Sequence, residues 1–430
     1  MTKTGKYIFS ILVIIFLTAC TNKKNNKIVI KFWGMGVEGE AVSRLIPEFE
    51  RQNPTIKVEV QMIPWTAAQE KLISAYASDN LPDIFQLGNT WIPQFVALDA
   101  IQNLNPKVKF SKNISSLNYF KGIWETNLIG KAVYGIPWYI DTRVLFYRKD
   151  ILKKAGYDKP PQNWTELIDV SKKIKTLYKN EDKYAIYLPT NDWSIFVIFG
   201  LQAGASLLKD NNSYGNFSSR KFKRAFSYLM KFYYNKLAPV GFSEVNNVYQ
   251  AMAQGYFAMY ISGPWNVKEM KEWMKGKLKN EWMTSPLPAP DSAGIGLSLP
   301  GGSSLVINKK TKYSKESWKF VEFLSSPKMQ LEIYKLTNDL PALKKAWKDS
   351  IFTNNKYMKA FYEQLGYTKP LPKITEWEQI AFSKIQQYAE YAARRKMTID
   401  EALKHLDADV NKILEKRRWL LKNAKDYKLR

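Results

Sequence analysis

The chain has 430 residues, 45% of them hydrophobic, enough for two or three lobes that each bury a core. One histidine, His405 beside Lys404 in a helical stretch, and one cysteine, near the chain's start, leave little room for Ser-His-Asp or Cys-His machinery or a zinc site, and a lone cysteine allows no disulfide within the chain. The net charge of +26 comes from scattered lysines, with no C2H2 spacing, RNP-like motif or arginine-rich arm, so no nucleic acid is expected as a partner.

The chain opens with Lys3 and Lys6, an apolar run from Tyr7 to Leu17, and small residues before Cys20. A basic flank, a short apolar centre and small residues make an export signal over residues 1–19. The run is about half the roughly 20 residues that a bilayer span needs, which makes a retained signal anchor the weaker alternative. Leu17-Thr18-Ala19-Cys20 resembles the lipobox of bacterial lipoproteins, in which the cysteine becomes the lipidated first residue. Cys20 is therefore the expected lipidation site, residues 20–27 are its polar tether, and the membrane is a partner through that anchor.

Ile28 to Trp33 is an apolar run broken only by Lys31, expected as a buried parallel strand. The loop Gly34 to Gly39 follows, carrying Glu38, and then a helix with Val42, Leu45, Ile46 and Phe49 on one face, which Asn53-Pro54 ends. Ile56, Val58, Val60 and Met62 alternate with polar residues as in a half-buried strand, so strand, helix and strand predict a right-handed parallel crossover. Thr66 and Gln69 have capping-box spacing for a helix running to Asp79. Leu81 to Phe85 is a strand, and Gly88-Asn89-Thr90-Trp91 lies past its carboxyl end, where ligands bind in open α/β sheets. Asn89 and Trp91 are site candidates on that ground; packing of Trp91 under the following helix is the equal alternative.

Val133 to Pro137 and Val144 to Tyr147 are strands on either side of an aromatic and acidic crossing, Trp138, Tyr139 and Asp141. A helix follows with Asp150 as N-cap and Gly156 as its stop, and Asn163 with Glu166 caps the next. The succession suggests a chain passing from one lobe to another. Tyr184 to Leu188 is a strand, Asn191-Asp192-Trp193 opens a helix, and Ser219 to Tyr234 is an amphipathic helix. Ala251 to Trp265, AMAQGYFAMYISGPW, is a helix end at Gly255, a buried strand and a Gly-Pro turn that exposes Trp265. Leu287-Pro288-Ala289-Pro290 starts a return that ends in Gly301-Gly302-Ser303-Ser304-Leu305-Val306-Ile307; no Gly-Lys-Ser/Thr follows, so this is not a phosphate loop. Helices complete the chain, the last long one capped by Thr398 and Glu401.

Several of these stretches resemble the family 1 extracellular solute-binding proteins, the sugar-capturing components of bacterial ABC importers. YGIPWYIDTRVLFYRKDILKKAGYDKPPQNWTEL, from Tyr134 to Leu167, follows the family's central segment, with Asn163 where threonine is commoner. FERQNPTIKVEV matches its opening pattern, Pro82-Asp83-Ile84 its P-D-(I/V) strand, Gly263-Pro264-Trp265 its G-P-W turn, and Leu340-Pro341-Ala342 its L-P-A turn. The likeness runs from Ile28 to Trp347. It implies an α/β, two-lobed, periplasmic-binding-protein-like fold, each lobe a mainly parallel sheet flanked by helices, with three hinge crossings near Tyr139, Leu297 and Lys328. Lobe 1 would take residues 28–139 and 298–328, and lobe 2 residues 140–297 and 329–430.

A pyranose has apolar C–H faces and a hydroxyl rim; aromatic rings cover the first, while carboxylates and amides hydrogen-bond the second. Trp138, Tyr139, Trp193 and Trp265 are the candidate faces, and Glu38, Asn89 and Asp141 the candidate rim partners. The resemblance adds that Trp265 matches a sugar-stacking tryptophan, that Asp141 matches an acid set on a sugar hydroxyl, and that Gly301 and Gly302 open a strand at the site. Family members that bind maltose carry charged residues where this chain has Met35-Gly36, so maltose itself is not implied. The expected function is a lipid-anchored receptor on the outer face of the cytoplasmic membrane. It would capture a carbohydrate between its lobes and deliver it to ABC permease subunits, without a cofactor and without catalysis. Arg143 and the lysine excess leave an anionic ligand, a uronate oligosaccharide or a glycerol phosphate ester, as the alternative within this class. A surface carbohydrate-active enzyme is the alternative outside it, since acids are plentiful although none is singled out as a pair. His405 is expected on a helix surface.

Overall fold

The computed structural model describes residues 27–241 and 245–427; the export signal, Cys20 and nearly all of the tether lie outside the described residues. Strands β1 (Ile28–Met35), β2 (Ile56–Ile63) and β3 (Ile84–Gly88) run parallel, linked by helices α1 (Gly36–Gln52) and α2 (Trp65–Ala77). The α1 face carrying Val42, Leu45 and Phe49 is buried against Ile30 and Phe32, as the spacing predicts. Strand β1 runs two residues further than expected. The turn is made at Gly36 itself, with φ +48, so helix α1 begins where a loop was expected.

Strand β4 (Ile136–Asp141) completes one approach to the cleft, and β5 (Val144–Arg148) leaves to found a second sheet with β6 (Tyr184–Tyr187), β7 (Phe257–Ser262) and β8 (Trp282–Ser285). The chain then returns as β9 (Gly301–Ile307) and β10 (Leu340–Pro341). The first sheet is ordered β10-β4-β9-β3-β1-β2 and the second β8-β5-β7-β6. Most strands of each sheet run one way, as expected, with β9 and β10 in the first and β5 in the second running against them. Strand β9 is antiparallel to β3 and β4, and β5 is antiparallel to β7 and β8. The reason is the crossing: a strand arriving from the other sheet enters at the cleft end and runs against its neighbours.

The two connections lie side by side. The Thr142 hydroxyl donates to the Leu299 carbonyl at 2.9 Å, while Ser298 Oγ accepts from Arg143 N at 3.2 Å and donates to the Arg143 carbonyl at 3.0 Å. Ser298 also bonds through its backbone to Tyr367 and Lys369, which adds a further chain segment to the hinge. Lys328 is not a crossing, and this is a correction. Helix Pro327–Thr337 stays with the first sheet: it packs on α1, and β10, which follows it, pairs with β4. Trp347 still meets Phe120, whereas Tyr357 stacks on Trp282 of β8 at 4.0 Å, so the third passage lies between Trp347 and Tyr357. Helical periodicity shows which face of a helix is buried, but not which sheet buries it.

Of the expected caps, Asn163 accepts from Glu166 N at 2.8 Å, and Thr398 with Glu401 forms a full capping box. Thr66 and Gln69 form none, because the helix starts at Trp65 behind Pro64 and the Gln69 amide donates to Gln94 instead. Asp150 lies within the first turn of Lys149–Lys154 rather than at its N-cap, and grips the Arg148 guanidinium at 2.7 and 2.8 Å. The C-terminal helices pack on the second sheet, with Ile380, Leu403, Leu406 and Val410 buried in its core.

Candidate functional site

Residues just past the carboxyl ends of β1, β2, β3, β4 and β7 line one cleft of about 410 Å³, within the size range of small-ligand sites. On the side of the first sheet, Glu38 sits in the first turn of α1. It accepts from the Tyr139 hydroxyl at 2.8 Å and from Trp65 Nε1 at 3.3 Å. Burial pushes the Glu38 carboxyl up, and burial, then the charge of Glu38, pushes the Tyr139 hydroxyl well above its ordinary range. Tyr139 therefore stays a donor to Glu38, and its oxygen accepts from Gln86 Nε2 at 3.2 Å. Gln86 in turn takes the Met35 backbone N–H at 2.7 Å, which ties the end of β1 to β3.

Asn89 lines the same wall, with its amide engaged by the neighbouring strand: Nδ2 donates to the Gly301 carbonyl at 3.1 Å and Oδ1 accepts from the Ser304 hydroxyl at 2.9 Å. It holds the start of β9. Trp91 is half-buried and lines the cleft with its ring edge-on to Trp65 at 5.9 Å. Gly301 and Gly302 pair with Asp141 and Ile140 of β4. A Cβ on Gly301 would strike the Asp141 carboxylate, and one on Gly302 would strike the Tyr139 carbonyl.

On the opposite wall, Trp193 opens the helix Trp193–Gln202, its ring edge-on to Trp377 at 6.0 Å and Phe382 at 5.8 Å. Trp265 follows β7 and is 47% exposed; its ring lies so close over Gly263 that a Cβ there would collide with it. Between the walls, Asp141 pairs with Arg143 at 2.7 Å, and the Arg143 guanidinium stands 4.6 Å from the centre of the Trp265 ring. Among the described residues, no group of three or more histidine, cysteine or acidic side chains could hold a metal ion.

Residues 35–331 match the family model described as bacterial extracellular solute-binding protein. The chain belongs to that family. The solute-binding protein is 42% identical to the sugar-binding protein MalE of the phytopathogen Xanthomonas citri, whose structure superposes with a TM-score of 0.88 over 92% of this chain and 99% of that one. It is 24% identical to the galactooligosaccharide-binding protein of Bacillus subtilis over 90% of each chain. It is also 27% identical, over 58% of each chain, to the maltooligosaccharide ABC transporter solute-binding lipoprotein of Streptococcus pneumoniae.

In this solute-binding protein every sequence-derived binding residue lines the cleft except Trp138. That residue is corrected: it is 1% exposed, with its ring T-shaped on Phe32 at 6.2 Å in the first core. Strand alternation sends Tyr139 and Asp141 to the cleft and Trp138 to the opposite face. Trp65, Asp339, Leu371, Glu378 and Phe382 also line the cleft and were not anticipated. Trp65 could have been found by the argument that marked Asn89, since it lies just past β2. Phe382 and Glu378 come from the π-helical turn Ile380–Ile385 and the helix before it, and their sequence carries no local sign of a site.

Asp339 follows Asn338, which ends its helix in the left-handed conformation at φ +67, and one Asp339 carboxyl oxygen is buried without a hydrogen-bond partner. Burial, then the charge of Glu38, pushes its carboxyl up to about 8 from an ordinary 3.8. A raised carboxyl binds its proton more tightly in the folded state, so its penalty is absent below the unfolded value and grows as pH rises from about 4 to about 8. Asp339→Asn should therefore flatten the fall in stability across that window and leave stability at pH 4 nearly unchanged. Denaturant melts at a series of pH values measure this; parallel curves for the two proteins would contradict it.

Proposed function

We propose that this solute-binding protein captures a sugar or oligosaccharide between its lobes, that the bound sugar favours lobe closure, and that the closed form hands it to an ABC permease. The observation that carries the reading is the lining of the cleft. Rings of Trp65, Trp91, Trp193, Trp265 and Phe382 surround the polar groups of Glu38, Asp141, Arg143, Asp339 and Glu378. Apolar ring faces between hydrogen-bonding groups are what a pyranose requires. The names of the relatives, a sugar-binding protein and two oligosaccharide-binding proteins, support the same class. An anionic ligand is the less favoured occupant, because Arg143, the one cationic side chain lining the cleft among the described residues, is already paired with Asp141.

A thermal-shift panel of neutral and acidic saccharides tests the proposal, since a ligand bound only by the folded state raises apparent stability by mass action. A neutral saccharide should give the largest shift and be recovered unchanged. A response confined to uronates or phosphate esters would favour the anionic reading, and appearance of product would favour an enzyme. Anchoring through Cys20 is part of the proposal, supported by the lipobox and by a relative named as a lipoprotein. Cys20→Ser should fold but wash off membranes; retention would point to a signal anchor.

A further inference from the structure

We infer that Arg143 is a positioning residue that sets the selectivity of the cleft, holding Asp141 and Trp265 at once through a single guanidinium; this rests on the saccharide reading above. Asp141 ends β4 of the first sheet and Trp265 follows β7 of the second, and Arg143 lies on the connection between the sheets. Its main chain is fixed by both hydrogen bonds to Ser298 Oγ. From that fixed point the side chain reaches Asp141 Oδ1 at 2.7 Å with Nη1 and stands 4.6 Å from the Trp265 ring centre. A planar guanidinium can bond a carboxylate in its plane while its face covers an indole, which a lysine ammonium cannot do.

Two consequences follow for the ligand. The ring of Trp265 and the carboxylate of Asp141 are held relative to one another across the hinge, so a sugar meets a preset distance between a stacking face and a hydroxyl acceptor. The cation is already paired, which removes the attraction that a lone arginine would offer a uronate. The Nε–H of Arg143 is buried without a hydrogen-bond partner.

A double-mutant cycle reads the coupling directly. Calorimetric titration of the best saccharide from the panel into R143M should show affinity about tenfold weaker than wild type, with the melting temperature of the ligand-free protein little changed. In a W265A background the same change should cost less than about threefold. R143K should restore part of the loss, and only in the presence of Asp141. Equal losses in both backgrounds, or tighter binding by R143M, would overturn the inference, the latter by showing that the guanidinium competes with ligand for the ring. If wild type binds no saccharide, the saccharide reading fails, and the positioning is still decided without ligand. The indole N–H resonance of Trp265, assigned by its loss in W265F, should move in R143M and less in R143K. An unmoved resonance in R143M would refute the positioning.

Discussion

Replacing Trp265 with alanine should weaken saccharide binding by about 2 kcal/mol or more, on the order of thirtyfold, while leaving the fold nearly as stable. The ring is half-exposed on a turn past β7, so its removal opens no cavity in either core. What it takes away is a half-exposed indole of the second wall, held in place by the Gly263 backbone beneath it and by Arg143. Titration calorimetry beside a thermal melt separates the two effects. Wild-type affinity in the variant would make Trp265 a bystander, and a large loss of stability would make it a packing residue.

A side chain at Gly302 should have the largest effect on the fold. Its φ is +110, a conformation that L-residues rarely adopt, and a Cβ would meet the Tyr139 carbonyl and the Ile140 backbone. Strand β4 cannot yield, since it is held between β9 and β10, and the register of β9 already shifts between Ser303 and Ser304. Strain of about 1–3 kcal/mol and overpacking of similar size add, so Gly302→Ala should cost about 3 kcal/mol or more. The cleft should suffer too, because the displaced Tyr139 lines it and Asp141 ends the same strand. Gly130→Ala is the control: φ there is +60 but nothing lies within 4 Å of the added carbon, so only the conformational cost of about 1 kcal/mol applies. Denaturant unfolding of the two variants compares them, and equal losses would contradict the role given to Gly302.

Much of the fold and of the cleft was legible because it depends on short-range rules. Alternation along Ile56 to Val60, the cap at Asn163 and the box at Thr398 are each written within a few residues and each appears in the structure, whereas Met62, expected inward, is exposed and Ile63 is buried in its place. Asn89 and Trp91 were placed at the cleft because a ligand site in such a sheet lies past the strand ends, and Asp141 and Trp265 because they match motifs of the family. The failures share a different cause. Trp138 was read as part of a polar crossing, although it belongs to a strand and alternates inward with it. Helix Pro327–Thr337 was given to the wrong lobe because both sheets offer an apolar face to such a helix. Phe382 and Glu378 reach the cleft only through the packing of the C-terminal helices on the second core, information that is spread over more than a hundred residues.

Solution scattering tests most directly whether a sugar is held between the lobes. The exported chain without its anchor should compact when a neutral saccharide from the panel is added. At the same ligand concentration the Trp265→Ala variant should stay extended, and the saccharide should be recovered intact from both. Binding without any change in the wild-type scattering curve, or compaction that the variant shows equally, would contradict capture between the lobes.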